Sequence, residues 1–404
     1  LVVPGFRQLV VSAFCARIAT QMFNVLLVLF VLDEYHSPAL SGIVLLCSQV
    51  PGIVCSPFAG ALLDRGAKTK LMGLDYVVGA VSIAMIAFLA LLHSLPIYGL
   101  LLIIGFGSLT QPLSRVGGKS LYPAIVPRSH WDHANAVDSG GFVMANVLGP
   151  AVAGLTVALM GARWAIVIPA LFMVLAAALV LRVEVPPSQL DRSSTLTADA
   201  LGAVRYVWGN RILRMLAGTM SVFNFGQGAL AVAVPYLVLH RLHGGSTSVG
   251  LMLAIMGMAG FVAGIVTGRF GTEGREKTVL AGSCFATALA LCVISVSHVD
   301  IVAAIGLAIA GFANGPLTVA MFGLRQRATD PRWFGRAFAV SMNMNYAGVP
   351  IGSAIIGAIL GHSISGAFFV AGAFCVIGGL GPALLPASLY RPEALAQAND
   401  RGHN

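Results

Sequence analysis

The chain has 404 residues, of which 57% are hydrophobic and only 10% charged, with a mean hydropathy of +0.88. Soluble domains carry roughly a quarter charged residues, so a water-soluble globule is excluded and lipid is the main solvent. The net charge of +9 does not signal nucleic acid, because the basic residues recur in every second loop instead of forming one stripe.

Apolar runs of about 20 residues can cross a bilayer. Such runs predict helices over 8–32, 38–63, 71–93, 96–121, 134–160 and 164–182, then over 212–239, 247–270, 278–298, 301–324, 336–361 and 365–389. The expected fold is an all-α membrane protein with twelve transmembrane helices in two six-helix bundles, 1–182 and 211–390. A cytoplasmic linker at 183–210 joins them, and a cytoplasmic tail follows at 391–404. The linker, VEVPPSQLDRSSTLTADALGAVRYVWGN, is the longest polar stretch, and its latter part has the pattern of an amphipathic helix. The first run lacks a small-residue cleavage signature and is expected to stay in the membrane.

Basic residues set the orientation, since cytoplasmic loops carry the Lys and Arg excess. Arg17 and Arg115 lie within spans, and only Arg163 and Arg241 fall in the turns that lead into even-numbered spans, on the side away from the termini. All other basic residues lie opposite, which predicts cytoplasmic termini. The six cysteines sit in apolar segments without CxxC spacing or clustered His and acid residues, so they read as packing residues and no metal is expected. A phosphate-cradling GxxxxGK[ST] loop is absent, as is a nucleophile with a base at workable spacing. Neither an enzyme nor a cofactor is expected.

The two halves repeat. Gln111-Pro112 matches Gly315-Pro316, Gly107 matches Gly311, and Pro127-Arg128 matches Pro331-Arg332. Gly60 and Arg65 match Gly264 and Arg269, and, with a small slippage, Phe23-Asn24 matches Phe223-Asn224. Duplicated halves are common in transporters. With its charged loop GALLDRGAKTK between the second and third spans, the chain resembles the major facilitator superfamily over essentially its whole length. Gly60, Asp64, Arg65, Lys68 and Lys70 supply that family's loop pattern, with Ala67 in place of its glycine and Gly66 one position early. A second stretch, SLYPAIVPRSHWDHANAV followed by LGPAVAG, resembles the drug and siderophore exporter branch through its Ala-Asn-Ala element and through Gly149, Pro150 and Gly154.

The resemblance implies a cytoplasmic gate in which Asp64 approaches the start of the eleventh span near Phe334 to Arg336, where free amides and the helix dipole favour an anion. Gly60, Asp64, Arg65, Asp75, Asp138, Gly149, Pro150 and Arg336 are the candidate gating residues. It also implies that the first, fourth, seventh and tenth spans line a central cavity. On the first, Arg17, Gln21 and Asn24 fall on one face by their spacing; Gln111 and Arg115 lie on the fourth, Phe223, Asn224 and Gln227 on the seventh, and Asn314 on the tenth. These nine are the candidate substrate-binding residues. Ionisable residues inside spans are costly and mark function, and no acid or His lies at the depth of Arg17 and Arg115, so an electropositive cavity is expected.

The expected function is secondary transport by alternating access, with export of an amphiphilic small molecule across a bacterial inner membrane. Import of an anionic or zwitterionic metabolite or lipid headgroup, and a receptor that keeps the transporter shell, are the alternatives. A small-molecule substrate, the lipid bilayer and a coupling ion such as the proton are the expected partners, and the chain is expected to act as a monomer.

Overall fold

Capping residues explain where several helices begin. Ser37 accepts a bond from the Leu40 amide with Pro38 at the first helical position, Asn210 accepts from the Ile212 and Leu213 amides, and Ser363 from that of Gly366 at 2.9 Å. Each side chain satisfies an amide that the helix itself leaves open. The computed structural model describes residues 5–65, 68–126, 131–183, 196–330 and 333–384, and every regular element among them is helical.

The first half of the chain forms α1 (Phe6–Tyr35), α2 (Pro38–Cys47), α3 (Val50–Arg65), α4 (Lys68–Leu91), α5 (Ile97–Ser108), α6 (Gln111–Ile125), α7 (Trp131–Ala165) and α8 (Val167–Val180). The linker sequence contributes α9 (Leu196–Gly209). Then follow α10 (Arg211–His240), α11 (Ser246–Phe270), α12 (Glu276–Ser295), α13 (Asp300–Arg327), α14 (Phe334–Tyr346), α15 (Gly348–Leu360) and α16 (Ile364–Leu380), with a final 3-10 turn. Gly161, at φ 80°, interrupts α7; a side chain there would be strained, whereas glycine takes this conformation freely.

Among the described residues, ten stretches are long and apolar enough to cross a membrane. The two expected spans missing from that number are the sixth and the eleventh. Only 14 residues remain in α8 after the break at Gly161, and the eleventh span divides at Ala347 into α14 and α15 of 13 residues each. The second and fourth expected spans are likewise interrupted, after Cys47 and after Ser108.

The chain divides into two compact units, Leu1–Leu196 with Gly244–Ala254, and Thr197–His243 with Ile255–Asn404. In the first, α1 packs on α7 and α8, while α4 packs on α8, α5 and α6. Phe6, Leu9, Met72, Tyr76, Leu121 and Val180 share its core. In the second, α10 packs on α14, α15 and α16, and α12 on α13 and α16. Within their most apolar windows α1 is 72% buried and α10 67%, against 28 to 50% for the other spans, so each is the central helix of its unit. Large apolar side chains such as Leu102, Leu159, Leu289 and Ile301 point outward, which suits a lipid-facing surface.

Helix α9 belongs to the second unit. Ala203 and Val207 are buried while Leu201 and Trp208 are exposed, so the linker pattern does produce a two-faced helix. Tyr206 stacks on Trp333 at 5.3 Å and accepts a bond from the Asp330 amide at 2.9 Å.

Helices α10 and α15 approach each other closely. A Cβ on Gly352 would collide with the Phe225 carbonyl, and one on Gly348 would stand 2.9 Å from the Phe225 amide. Small residues of this kind let backbones meet inside a membrane. Gly352→Val is therefore expected to cost about 1 to 3 kcal/mol or more through overpacking. Gly218→Ala, at an exposed site inside α10 with nothing nearby, should leave stability unchanged or raise it by up to about 1 kcal/mol. Thermal unfolding in detergent compares the two, and equal midpoints would show that this contact yields without strain.

Candidate functional site

Arg17, Gln21 and Asn24 share one face of α1, and that face looks at α7. Arg17 Nη2 donates to Asp138 Oδ1 at 2.5 Å, and Nη1 donates to the Asp138 carbonyl at 2.8 Å. The guanidinium also lies 5.9 Å from the centre of the Phe142 ring. One turn further on, the Gln21 amide donates to Asn146 Oδ1, and Asn24 Nδ2 reaches Gln21 Oε1 at 3.5 Å. Asp138, Phe142 and Asn146 recur every four residues and so form one stripe of α7. Beyond them Gly149 admits α1, since a Cβ there would stand 2.6 Å from that of Gln21. Residue numbers rise together along both helices, as they must for two odd-numbered spans.

The expectation of an unpaired Arg17 is overturned. Asp138 is its counter-ion, with side-chain exposures of 26% for the arginine and 9% for the acid. Helix α7 begins at Trp131, earlier than the apolar run, which sets Asp138 deeper and level with Arg17. The positive charge assigned to this part of the cavity is neutralised.

The other polar residues of the first unit knit helix breaks together. Thr110 donates to Asp75 Oδ1 at 2.8 Å, and Asp75 is buried on α4. Gln111 Nε2 donates to the Ser48 carbonyl at 3.3 Å, while its oxygen accepts from Arg115 at 3.1 Å. The interruption between α5 and α6 is thus tied to the one between α2 and α3. Gly60, Asp64 and Arg65 lie on α3 and Arg336 on α14; beyond that backbone placement these four gating residues, and the expected approach of Asp64 to the eleventh span, fall outside the described residues.

The second unit repeats the seam without its charge. Asn224 Nδ2 donates to Asn345 Oδ1 at 2.8 Å and to the Asn345 carbonyl at 3.1 Å. Three residues beyond Asn345, Gly348 meets the α10 backbone as Gly149 meets that of α1. Asn146-Val-Leu-Gly149-Pro150 therefore corresponds to Asn345-Tyr-Ala-Gly348-Val-Pro350. Neither asparagine emerged from the reading of cavity spans, although this pattern was available to find both.

Asn314 serves its own helix, its oxygen accepting from Thr318 at 3.0 Å. Gln227 Nε2 is buried without a partner among the described residues. Phe223 is placed elsewhere than expected. It is fully buried, and its Cβ lies where Gly378 of α16 leaves room, 2.9 Å from the position a Cβ would take there. Glycine on α16 draws α10 close, so this ring fills a helix interface.

Pro150 and Gly154 carry a further close contact. A Cβ on Gly250, at the start of α11, would stand 2.7 Å from the Pro150 carbonyl and 3.1 Å from Gly154 Cα. The two glycines of α7 thus admit different neighbours, Gly149 admitting α1 and Gly154 admitting α11.

The Arg17–Asp138 pair lies between the surface and fully buried cases, so breaking it is expected to cost about 1 to 3 kcal/mol. Arg17→Met and Asp138→Asn should each lower the unfolding midpoint, and the double variant should recover much of the loss. A double-mutant cycle on purified protein measures this coupling; additive losses would show that the two side chains act independently.

Two matches to the model of the Major Facilitator Superfamily cover residues 9–345 and 216–403. The MFS-type transporter y4rN of Sinorhizobium fredii is 34% identical, over 95% of each chain. The multidrug efflux pump Tap of Mycolicibacterium fortuitum is 24% identical, over 81% of this chain and 82% of that one. Among solved structures, that of the nucleoside transporter NupG superposes with a TM-score of 0.76 at 13% identity, covering 94% of this chain and 99% of that one. The likeness in fold, the repeated helix seam and the family match agree that this chain belongs to the major facilitator superfamily and is one of its membrane transporters.

Proposed function

We propose that this transporter exports an amphiphilic small molecule by alternating access, driven by an ion gradient. The observation that carries the reading is the run Gly149-Pro150-Gly154 on α7, which admits α1 on one side and the opening of α11 on the other. This run is the element by which the sequence resembles the exporter branch. Further support comes from the efflux pump Tap and from macrolide efflux protein A of Streptococcus pyogenes, 21% identical over 83% of this chain and 84% of that one. The excess of basic residues on the side of the termini supports a cytoplasmic placement for both, in a bacterial cytoplasmic membrane.

The charge loop on α3 keeps its assigned role within this reading. The Asp64 charge favours the outward-open state, by about 0.3 to 2 kcal/mol if it acts on a helix dipole. Asp64→Asn should lower the accessibility of cysteines placed on the periplasmic side, and unchanged labelling would reduce the loop to a topology anchor.

Transport itself is tested in proteoliposomes with imposed pH gradients and a panel of cationic, neutral and anionic amphiphiles. Substrate should move out of the cytoplasmic compartment without ATP and stop on addition of an ionophore. Gly154→Val should lower the rate at least about ten-fold, because a branched side chain cannot fit against Gly250, while Gly218→Ala should transport normally. Movement that needs ATP and ignores ionophores would refute ion coupling, and net uptake would refute export.

A further inference from the structure

Arg325 is fully buried near the end of α13 and has no acidic partner among the described residues. Its Nη1 points at Met342 Sδ, a weak acceptor, and its guanidinium lies 5.7 Å from the centre of the Phe338 ring. Nε and Nη2 are both buried without a hydrogen-bond partner among the described residues. Other arginines of the chain are treated differently. Arg17, Arg163 and Arg327 meet carboxylates, and Arg241 donates to the Ser295 carbonyl and the Ser365 hydroxyl.

The unmatched atoms have a geometry of their own. The N–H bonds of Nε and Nη2 project side by side from one edge of the planar group, at the spacing of two carboxylate oxygens. Ser341 Oγ is also buried and has no partner among the described residues. Phe338, Ser341 and Asn345 recur at three- and four-residue intervals, so the hydroxyl belongs to the stripe of α14 that faces α13. Phe338 stacks on Phe322 of α13 at 5.7 Å, and Asn345 Nδ2 lies 3.1 Å from Met321 Sδ, which fixes that facing. An arginine stays protonated at any working pH, and a buried cation without a counter-charge is strongly unfavourable.

The geometry points to a carboxylate-binding site between α13 and α14, in which the Nε and Nη2 edge of Arg325 grips both oxygens and the Ser341 hydroxyl donates a third bond. Phe338 and Met342 supply the apolar wall. The carboxylate comes either from the head of an amphiphilic acid or from a small free acid; the first source rests on the export reading above, and the second does not.

Binding to the full-length protein in nanodiscs of uncharged lipid tests this without transport, so failure here leaves the export reading standing and a failed transport assay leaves this site standing. The probes are acetate, octanoate and the neutral isostere octanamide, with the unfolding midpoint read by tryptophan fluorescence. Octanoate should raise the midpoint with dose and octanamide should not. Arg325→Met removes the charge and keeps the apolar length, so it should unfold at or above the wild-type midpoint and lose the octanoate response. Arg325→Lys keeps the charge without the fork and should weaken the apparent affinity at least about ten-fold. Acetate acting as well as octanoate assigns the site to small free acids; octanoate acting alone assigns it to an amphiphilic acid. No shift with either acid, equal shifts with octanoate and octanamide, or a full response in Arg325→Met overturns the site. Should Arg325→Met fail to fold, Arg325→Lys and Ser341→Ala carry the decision, and wild-type affinity in both overturns it as well.

Discussion

A polar side chain inside a membrane protein has little water to turn to, so its partner must come from another helix. That constraint organises both units around their central helices. Arg17 and Gln21 oblige α1 to meet Asp138 and Asn146 on α7, and Asn224 obliges α10 to meet Asn345 ahead of α15. Once the amides fix the register, Gly149 and Gly348 let the backbones close. Apolar packing alone would tolerate a helix sliding past its neighbour, whereas a buried amide pair tolerates one register.

The repeat was legible in the sequence because it lies in local features such as glycines, prolines and loop charges. The shared face of Arg17, Gln21 and Asn24 was legible for a similar reason, since helical spacing is a local property. What that face meets is a long-range fact, and periodicity carries none of it. The family resemblance directed the face toward a cavity, and Asp138 was assigned to a gate because the apolar run hid the true start of α7. Phe223 was misread in the same manner, as the glycine that draws it into an interface lies on α16.

Breaks within spans were harder to see. A hydropathy window averages across Ser48 or Ala347 and reports one apolar run, although the helix ends and restarts there. Arg325 was missed at a boundary placed at residue 324, because a charge at the edge of an apolar run reads as the start of a loop. The helix in fact continues to Arg327, which pairs with Glu276 of α12, and this extra turn draws Arg325 inside. Arg17, expected to stand unpaired in the first half, is matched by Asp138, while Arg325 has no acidic partner among the described residues of the second half, where the sequence reading had assigned only amides and a ring to the cavity.

The seams also set a timetable for synthesis. Arg17 is separated from Asp138 by 121 residues, and Asn224 from Asn345 by the same 121. At a synthesis rate of about 5 to 20 residues per second, each central helix waits roughly 6 to 24 s for its partner to be made. During the first interval the seam of α1 holds a bare guanidinium, and during the second the seam of α10 holds the neutral Asn224 amide. The nascent first half therefore has the greater need of a polar shelter at the insertion machinery, and the second half can rest in lipid with less help.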